Sequence, residues 1–111
     1  MEYYPQIVYG AEWSNKFINV LLEWDTEEHG EFDVEDRDHR EIFEELLYDE
    51  HEVEAQIKEF EWERGGYVQG LEGLEWGTTY LVVDEYDKKG KDVLEEKLDI
   101  SFCEGRYSEL G

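Results

Sequence analysis

The sequence has a single cysteine, a single proline and no long hydrophobic run. Cys103 has no partner for an internal disulfide, which excludes the disulfide framework of small secreted domains and favours a reducing compartment. The N-terminus lacks the basic and apolar stretches of a signal peptide, and no apolar run approaches the roughly 20 residues that span a bilayer. The sequence therefore predicts a cytoplasmic protein without a membrane segment.

Basic residues are also scarce. The chain has 10 Lys and Arg and 32 Asp and Glu, which give a net charge of −22. Nucleic acid and anionic lipid carry charge of the same sign and would be repelled. Such an imbalance exceeds what the solubility of a small domain requires. We therefore expect a basic protein surface as the partner, with no direct contact to nucleic acid or to a membrane.

Apolar residues are nevertheless plentiful enough for a folded core. Hydrophobic residues make up 40% and aromatic residues 15% of the 111-residue chain, which is too much for a disordered acidic tail. A chain of this length fits one domain. We predict a single α+β domain over residues 1–111, in which Trp13, Trp24, Tyr80 and Phe102 belong to the core.

The C-terminal third is typical of a β-hairpin. Segments 78–86 and 93–102 flank the turn-like residues 87–90, and the second segment alternates apolar and polar side chains, which is the period of a half-buried strand. Glu96 alone interrupts its apolar face. The expected fold is a small antiparallel sheet that includes this C-terminal hairpin at 78–102 and packs against one or two helices.

The clearest helix is expected at about residues 36–48. Its apolar residues Ile42, Phe43, Leu46 and Leu47 form a single stripe at helical spacing. Asp36 or Asp38 can cap the free N–H groups at the start of this helix, where acidic side chains also suit the helix dipole.

Two segments fit both a helix and a strand. Residues 14–24 have apolar side chains that satisfy either period, and we favour a second helix there. Residues 52–63 also satisfy both, and we favour a strand. Residues 65–77 hold five glycines and predict an irregular loop.

The acidic side chains are concentrated in the middle of the chain, where residues 23–63 contain 19 acids and three bases. Helical neighbours three or four residues apart lie about 5–6 Å from each other at Cβ, and strand neighbours two apart lie about 6.6 Å from each other. Both spacings are of the order of phosphate spacings in nucleic acid. The candidate phosphate-mimicking residues are Asp25, Glu27, Glu28, Glu31, Asp33, Glu35, Asp38, Glu41, Glu44, Glu45, Asp49, Glu52, Glu59, Glu61 and Glu63.

The chain is small and acidic, has a lone cysteine, and sets aromatic residues among carboxylates, as in residues 59–63. In these features it resembles the acidic nucleic-acid-mimic inhibitors of phages and mobile elements, including anti-CRISPR and anti-restriction proteins. The resemblance implies a stoichiometric inhibitor that blocks the DNA or RNA site of a basic enzyme, such as a CRISPR or restriction nuclease. Tyr48 and Trp62 are the candidate aromatic anchors, because exposed rings beside carboxylates can stack on a partner's arginine. Exposed aromatics also allow a homodimer.

Two other interpretations of the acidity stay open. An immunity protein that neutralises a basic nuclease toxin would use the same electrostatics without imitating nucleic acid. Adaptation to high salt would produce an acidic surface with no partner at all. Gene neighbourhood and folding at low salt distinguish these alternatives from mimicry.

Catalysis and metal binding are not expected. Residues 25–36 partly match a calcium loop, but His29 stands where an oxygen ligand is needed and Asp36 is too short for the usual bidentate glutamate. The three histidines and Cys103 have no zinc-motif spacing, and no nucleophile or phosphate-loop motif occurs. The sequence thus predicts a non-enzymatic protein without a cofactor.

Overall fold

In the part of the chain that the structure describes, five strands form one antiparallel sheet with the order β2-β4-β1-β5-β3. The computed structural model describes residues 3–60 and 68–110, and within these ranges the side chains of all but 3–5, 68–70 and 109–110. The strands are β1 Tyr3–Glu12, β2 Ala55–Glu59, β3 Val68–Glu72, β4 Thr79–Asp84 and β5 Cys103–Leu110. The helices are α1 Lys16–Leu21, α2 Thr26–His29, α3 Arg37–His51 and α4 Lys88–Leu98. The predicted α+β class with a small antiparallel sheet is confirmed.

The sheet carries a hydrophobic cluster on each face. The larger cluster lies between the sheet and the helices and includes Phe43 and Leu47 of α3 and Leu94 of α4, each with no exposed surface. The smaller one covers the opposite face around Val8, Val82 and other residues. Strand β1 contributes to both clusters, because its side chains alternate between the two faces.

The helix predicted at 36–48 is confirmed as α3, which begins after Asp36 and continues to His51. The Asp36 carboxylate accepts hydrogen bonds from the N–H groups of Asp38 and His39, so Asp36 rather than Asp38 is the cap. Within 14–24 the favoured helix is also present, although α1 spans only Lys16–Leu21. Within 52–63 the favoured strand is present as β2.

The hairpin predicted at 78–102 is wrong in its second arm. Strand β4 occupies the first arm, but residues 88–98 form helix α4 and the next strand, β5, begins only at Cys103. The Asp87 carboxylate accepts a hydrogen bond from Gly90 N–H and caps this helix. Leu94 and Leu98 are four residues apart, a spacing that fits one helix face as well as one strand face, and a helix also explains the polar Glu96 between them.

Besides β5, strands β1 and β3 were not predicted from the sequence. The loop predicted at 65–77 is wrong over β3, which pairs with β5 through an irregular register between Val68 and Gly70. Strand β1 pairs with β4 on one side and β5 on the other. Of the predicted core aromatics, Tyr80 and Phe102 are buried, whereas Trp13 and Trp24 are half-buried against the helix-side cluster.

Candidate functional site

Helix α3 lies along β2, the outermost strand on one side of the described sheet. Phe43 and Leu47 are buried in the helix-side core and fix which face of α3 turns inward. At its C-terminus Glu52 adopts a left-handed conformation with φ of 56°, which ends the helix and turns the chain into β2. The opposite, acidic face of α3 is therefore held outward beside the edge of the sheet.

A groove of about 800 Å³ lies where this acidic face meets the edge and the second face of the sheet. Six carboxylates line it, and Lys58 is the one base among the described lining residues. We call it the acidic groove. Its carboxylates belong to Glu41, Glu44, Glu45, Asp49, Glu54 and Asp84, and its other lining residues are Gln6, Val8, Tyr48, Ala55, Gln56, Lys58, Val82 and Tyr107.

A second depression extends the acidic groove along α3. It shares Glu41, Glu44 and Gln56 with the groove, and it adds Glu35 and two arginines. Arg37 Nε lies 3.7 Å from Glu41 Oε1, an exposed ion pair of small energetic weight. The two depressions together form a trough beside α3 and β2, and the arginines confine the strongest negative charge to the end nearer Tyr48.

Glu44 is the carboxylate that links α3 to the strand. Ile57 N–H donates to Glu44 Oε1 over 3.4 Å, which makes this a long hydrogen bond. Burial raises the pKa of Glu44, and the nearby Glu41 adds to the rise, while the Ile57 N–H and Arg40 act in the opposite direction. Glu44 is thus a partly desolvated anion, and an incoming cation would stabilise its charged form.

Lys58 is held against the floor of the groove. Its Nζ lies 4.7 Å from the centre of the Tyr107 ring and 5.2 Å from that of Phe60, and it donates to the Tyr107 hydroxyl over 3.4 Å. The Tyr107 hydroxyl in turn donates to Gln6 Oε1 over 2.9 Å. These contacts hold the lysine on the aromatic floor of the groove.

Tyr48 is the aromatic residue of the acidic groove that solvent reaches. Its side chain is 52% exposed, and it follows Glu44 and Glu45 by four and three residues. Residues at these spacings are neighbours on a helix surface. The predicted anchor therefore lies among carboxylates, with a ring face available to a cation.

The structure gathers only part of the predicted carboxylate array. Glu41, Glu44, Glu45 and Asp49 line the acidic groove, and Glu35 lines its extension. Asp25, Glu27, Glu28, Glu31, Asp33, Asp38, Glu52 and Glu59 line neither depression. Glu61, Glu63 and the second predicted anchor, Trp62, lie outside the described residues.

Some of these other acids serve the fold. Asp25 accepts hydrogen bonds from the N–H groups of Glu27 and Glu28 and caps α2. The Asp33 carboxylate accepts from Glu35 N–H, and the backbone N–H of Asp33 donates to His39 Nδ1. These short-range hydrogen bonds are typical of turns and helix caps. Asp25 and Asp33 therefore have a role in the fold, whatever their part in partner binding.

The sheet side of the groove was not predicted from the sequence. Glu54 lies inside the acidic region but was not chosen, and Asp84 belongs to β4. Tyr107 and Gln6 come from β5 and β1, at opposite ends of the chain. No local pattern brings these segments together, because their proximity depends on strand pairing.

In the part of the chain that the structure describes, no helix is long and apolar enough to cross a membrane. Within the same residues, no group of three or more His, Cys, Asp and Glu side chains is arranged to hold a metal ion. Comparison of the chain with protein families, with curated proteins and with solved structures finds no match.

Proposed function

We propose that this chain is a stoichiometric inhibitor that imitates nucleic-acid phosphates and occupies the DNA- or RNA-binding site of a basic enzyme, such as a CRISPR or restriction nuclease. The role would be exercised in the cytoplasm, where such enzymes act. The observation that carries the proposal is the acidic groove, in which six carboxylates face a single lysine in the described lining.

The spacing of the α3 carboxylates suits a surface that normally holds a phosphate backbone. Glu41, Glu45 and Asp49 follow one another at four-residue intervals, so adjacent members lie about 5–6 Å apart at Cβ along one stripe of the helix. Lysine and arginine side chains that hold successive phosphates can pair with such a row. A rigid helix keeps the row in place before binding, which lowers the ordering cost of association.

The apolar part of the groove supports recognition beyond charge. Tyr48 offers an exposed ring among the carboxylates, and an arginine can stack on that ring while its guanidinium bonds a neighbouring carboxylate. Tyrosine and arginine are, with tryptophan, the residue types that most often dominate interface energies. Association driven by such a field should be fast and should weaken with salt.

The proposal is tested by competition against labelled DNA or RNA on a panel of phage-targeted nucleases at rising salt. A variant combining Glu41→Gln, Glu45→Gln and Asp49→Asn removes three groove charges. It should bind the susceptible nuclease about 100-fold more weakly, since each charged contact contributes about 1 kcal/mol or more. Its affinity should also depend less steeply on salt.

A matched control removes three exposed acids outside the groove and its extension. The combination Glu72→Gln, Glu96→Gln and Glu104→Gln changes the net charge equally. If both triple variants lose affinity equally, general acidity rather than the groove is responsible. If the chain inhibits a nuclease without displacing its nucleic acid, mimicry is rejected in favour of the mode expected of an immunity protein.

A further inference from the structure

The sheet side of the acidic groove is closed to a further strand. Ala55 and Ile57 of β2 are only 4% and 6% exposed, and Ile57 N–H already donates to Glu44 Oε1. An extended segment that entered the groove would bury its own N–H and C=O groups without backbone partners, which is costly. A helix satisfies these groups internally, except at its ends. The closed edge therefore favours a helical occupant.

The accessible part of the groove consists of side chains. Glu41, Glu45, Tyr48 and Asp49 of α3 are exposed, and so is Glu54, which precedes β2. A second helix can reach these side chains by lying beside α3, at the usual interaxial distance of about 8–10 Å. Such docking leaves the pairing of the sheet unchanged.

The row of carboxylates on α3 has a helical period. Glu41, Glu45 and Asp49 follow one another at four-residue intervals, so each lies about 6 Å beyond the last along the helix axis. Basic side chains at four-residue intervals on a second helix advance by the same distance. One face of that helix can therefore meet all three carboxylates at once, whereas basic side chains spread around a helix cannot.

Charge determines which helix the groove accepts. Glu54 and Asp84 place carboxylates on the sheet side, opposite those of α3, so a helix in the groove has acidic side chains on two sides. The α3 of a second copy of this chain would bring its own acids to these carboxylates, and like charges at close range oppose that pairing. Charge complementarity therefore favours a basic helix of another protein over self-association.

We propose that the acidic groove receives an α-helix of the partner protein that carries arginine or lysine at four-residue intervals. This inference rests on the proposed function, because it names the element of the basic enzyme that the groove holds. Proteins that bind DNA commonly insert a helix into the major groove, between the two phosphate backbones. The acidic groove takes the place of that DNA groove, and the carboxylate row of α3 takes the place of one phosphate backbone.

The test uses two synthetic peptides of about 15 residues, each held helical by a side-chain staple and each with three arginines in an alanine and glutamine host. In the first peptide the arginines stand at four-residue intervals and share one face. In the second they stand at five-residue intervals, which distributes them around the helix. Circular dichroism checks that the two are equally helical.

Binding is measured at about 0.15 M salt, where charges more than about 8 Å apart are largely screened. The first peptide should bind at least about tenfold more tightly than the second, because more of its arginines reach a carboxylate. Equal affinity of the two peptides would overturn the proposal and leave only general attraction between opposite charges. Failure of both to bind would overturn it too.

A third peptide tests the helical form of the occupant. It keeps the arginines of the first peptide but lacks the staple and has two host alanines replaced by proline, which prevents a continuous helix. It should bind at least about tenfold more weakly than the first peptide. Binding as tight as that of the first peptide would overturn the proposal in favour of an extended occupant.

Protein variants locate the binding. The combination Glu41→Gln, Glu45→Gln and Asp49→Asn should bind the first and second peptides with nearly equal affinity. The matched control that removes three acids outside the groove should keep the preference of the wild-type protein. If the groove variant also kept the preference, the helix would bind elsewhere and the proposal would be wrong.

The peptide experiment and the nuclease experiment fail independently. If the first two peptides bind equally but the chain still displaces nucleic acid through α3, the proposed function stands and the helix is rejected as the occupant. If no nuclease is displaced but the peptides differ as expected, the groove is a site for a basic helix and the inhibitor function is rejected.

Discussion

Replacing Glu44 by glutamine should change stability and partner binding in opposite directions. Glutamine retains a side-chain oxygen that can accept from Ile57 N–H, but it removes a charge that burial and the neighbouring Glu41 disfavour. We expect a gain of about 0.5–1 kcal/mol in the free energy of unfolding at neutral pH, which is typical of relieving one unfavourable charge. For a domain of this size the gain raises Tm by about 2–4 °C.

The stability gain of Glu44→Gln should depend on pH, and the raised pKa of Glu44 determines the direction of that dependence. Between the ordinary value of 4.5 and the raised value, the folded wild-type protein holds a proton that the unfolded chain has released. Wild-type stability therefore rises relative to the variant as the pH falls through this window. The difference between Glu44→Gln and wild type should be largest near neutral pH and should close towards pH 4.5.

Urea unfolding from pH 7 down to pH 4, combined with binding to the susceptible nuclease, measures both effects. Affinity should fall about tenfold, because one charged contact is lost. Glu50→Gln is the matched control, since Glu50 is exposed on the same helix and lines neither the groove nor its extension. A less stable Glu44→Gln protein at pH 7, or a stability difference that is constant with pH, would refute the reasoning.

Variants at three further positions test the fold and the site. Glu95→Ala should cost about 2 kcal/mol in urea unfolding, because its carboxylate accepts from Phe102 N–H at 2.9 Å and from Lys91 Nζ at 3.0 Å. These bonds lower the pKa of Glu95, so its contribution to the free energy of unfolding is lost as the pH falls through that lowered value. If Glu95→Ala were still less stable than wild type in strong acid, this role would be contradicted. Asp36→Ala should lower stability by about 1 kcal/mol through loss of the α3 cap, and Asp36→Asn should restore most of it. Tyr48→Ala should weaken partner binding about tenfold while Tm stays within about 2 °C, whereas Tyr48→Phe should bind nearly as wild type if the ring face makes the contact.

The elements that could be predicted are those whose sequence pattern and surroundings agree. Helix α3 has one apolar stripe and an aspartate cap, and a single core lies on one side of it. Strand β4 was found because its apolar run is bounded by polar turn residues. In both elements the local pattern indicates one type of secondary structure, and tertiary packing agrees with it.

The elements that were not predicted, or were predicted as the wrong type, lack such agreement. Strand β1 buries Val8 on one face of the sheet and Ala11 on the other, so the alternation of a half-buried strand is absent. In α4 the spacing of Leu94 and Leu98 fits both periods, and the choice depends on the Asp87 cap and on packing against the core. Neither fact is visible in a short window of sequence.

The candidate site also has one side that could be predicted from the sequence and one that could not. Its α3 side could be predicted, because the charge density and the helical period are local properties of residues 37–51. Its floor combines Gln6, Val82 and Tyr107, which only strand pairing brings together. Asp25 and Asp33 belong to the same acidic region of the sequence but line neither depression, and their carboxylates accept from local backbone N–H groups.

The distribution of hydrogen bonds separates the acids that the fold uses from those it does not. Asp25, Asp36 and Asp87 cap helices, whereas the carboxylates of Glu45 and Glu54 make no hydrogen bond or ion pair within the described residues. Mutual repulsion in the groove opposes folding. These charges destabilise the free protein and make no internal contact. Such features are commonly kept where binding needs them, because selection for function retains residues that selection for stability alone would replace. The stability gain predicted for Glu44→Gln measures how much one groove charge destabilises the free protein. If the same variant also binds the partner more weakly, that charge is kept for binding.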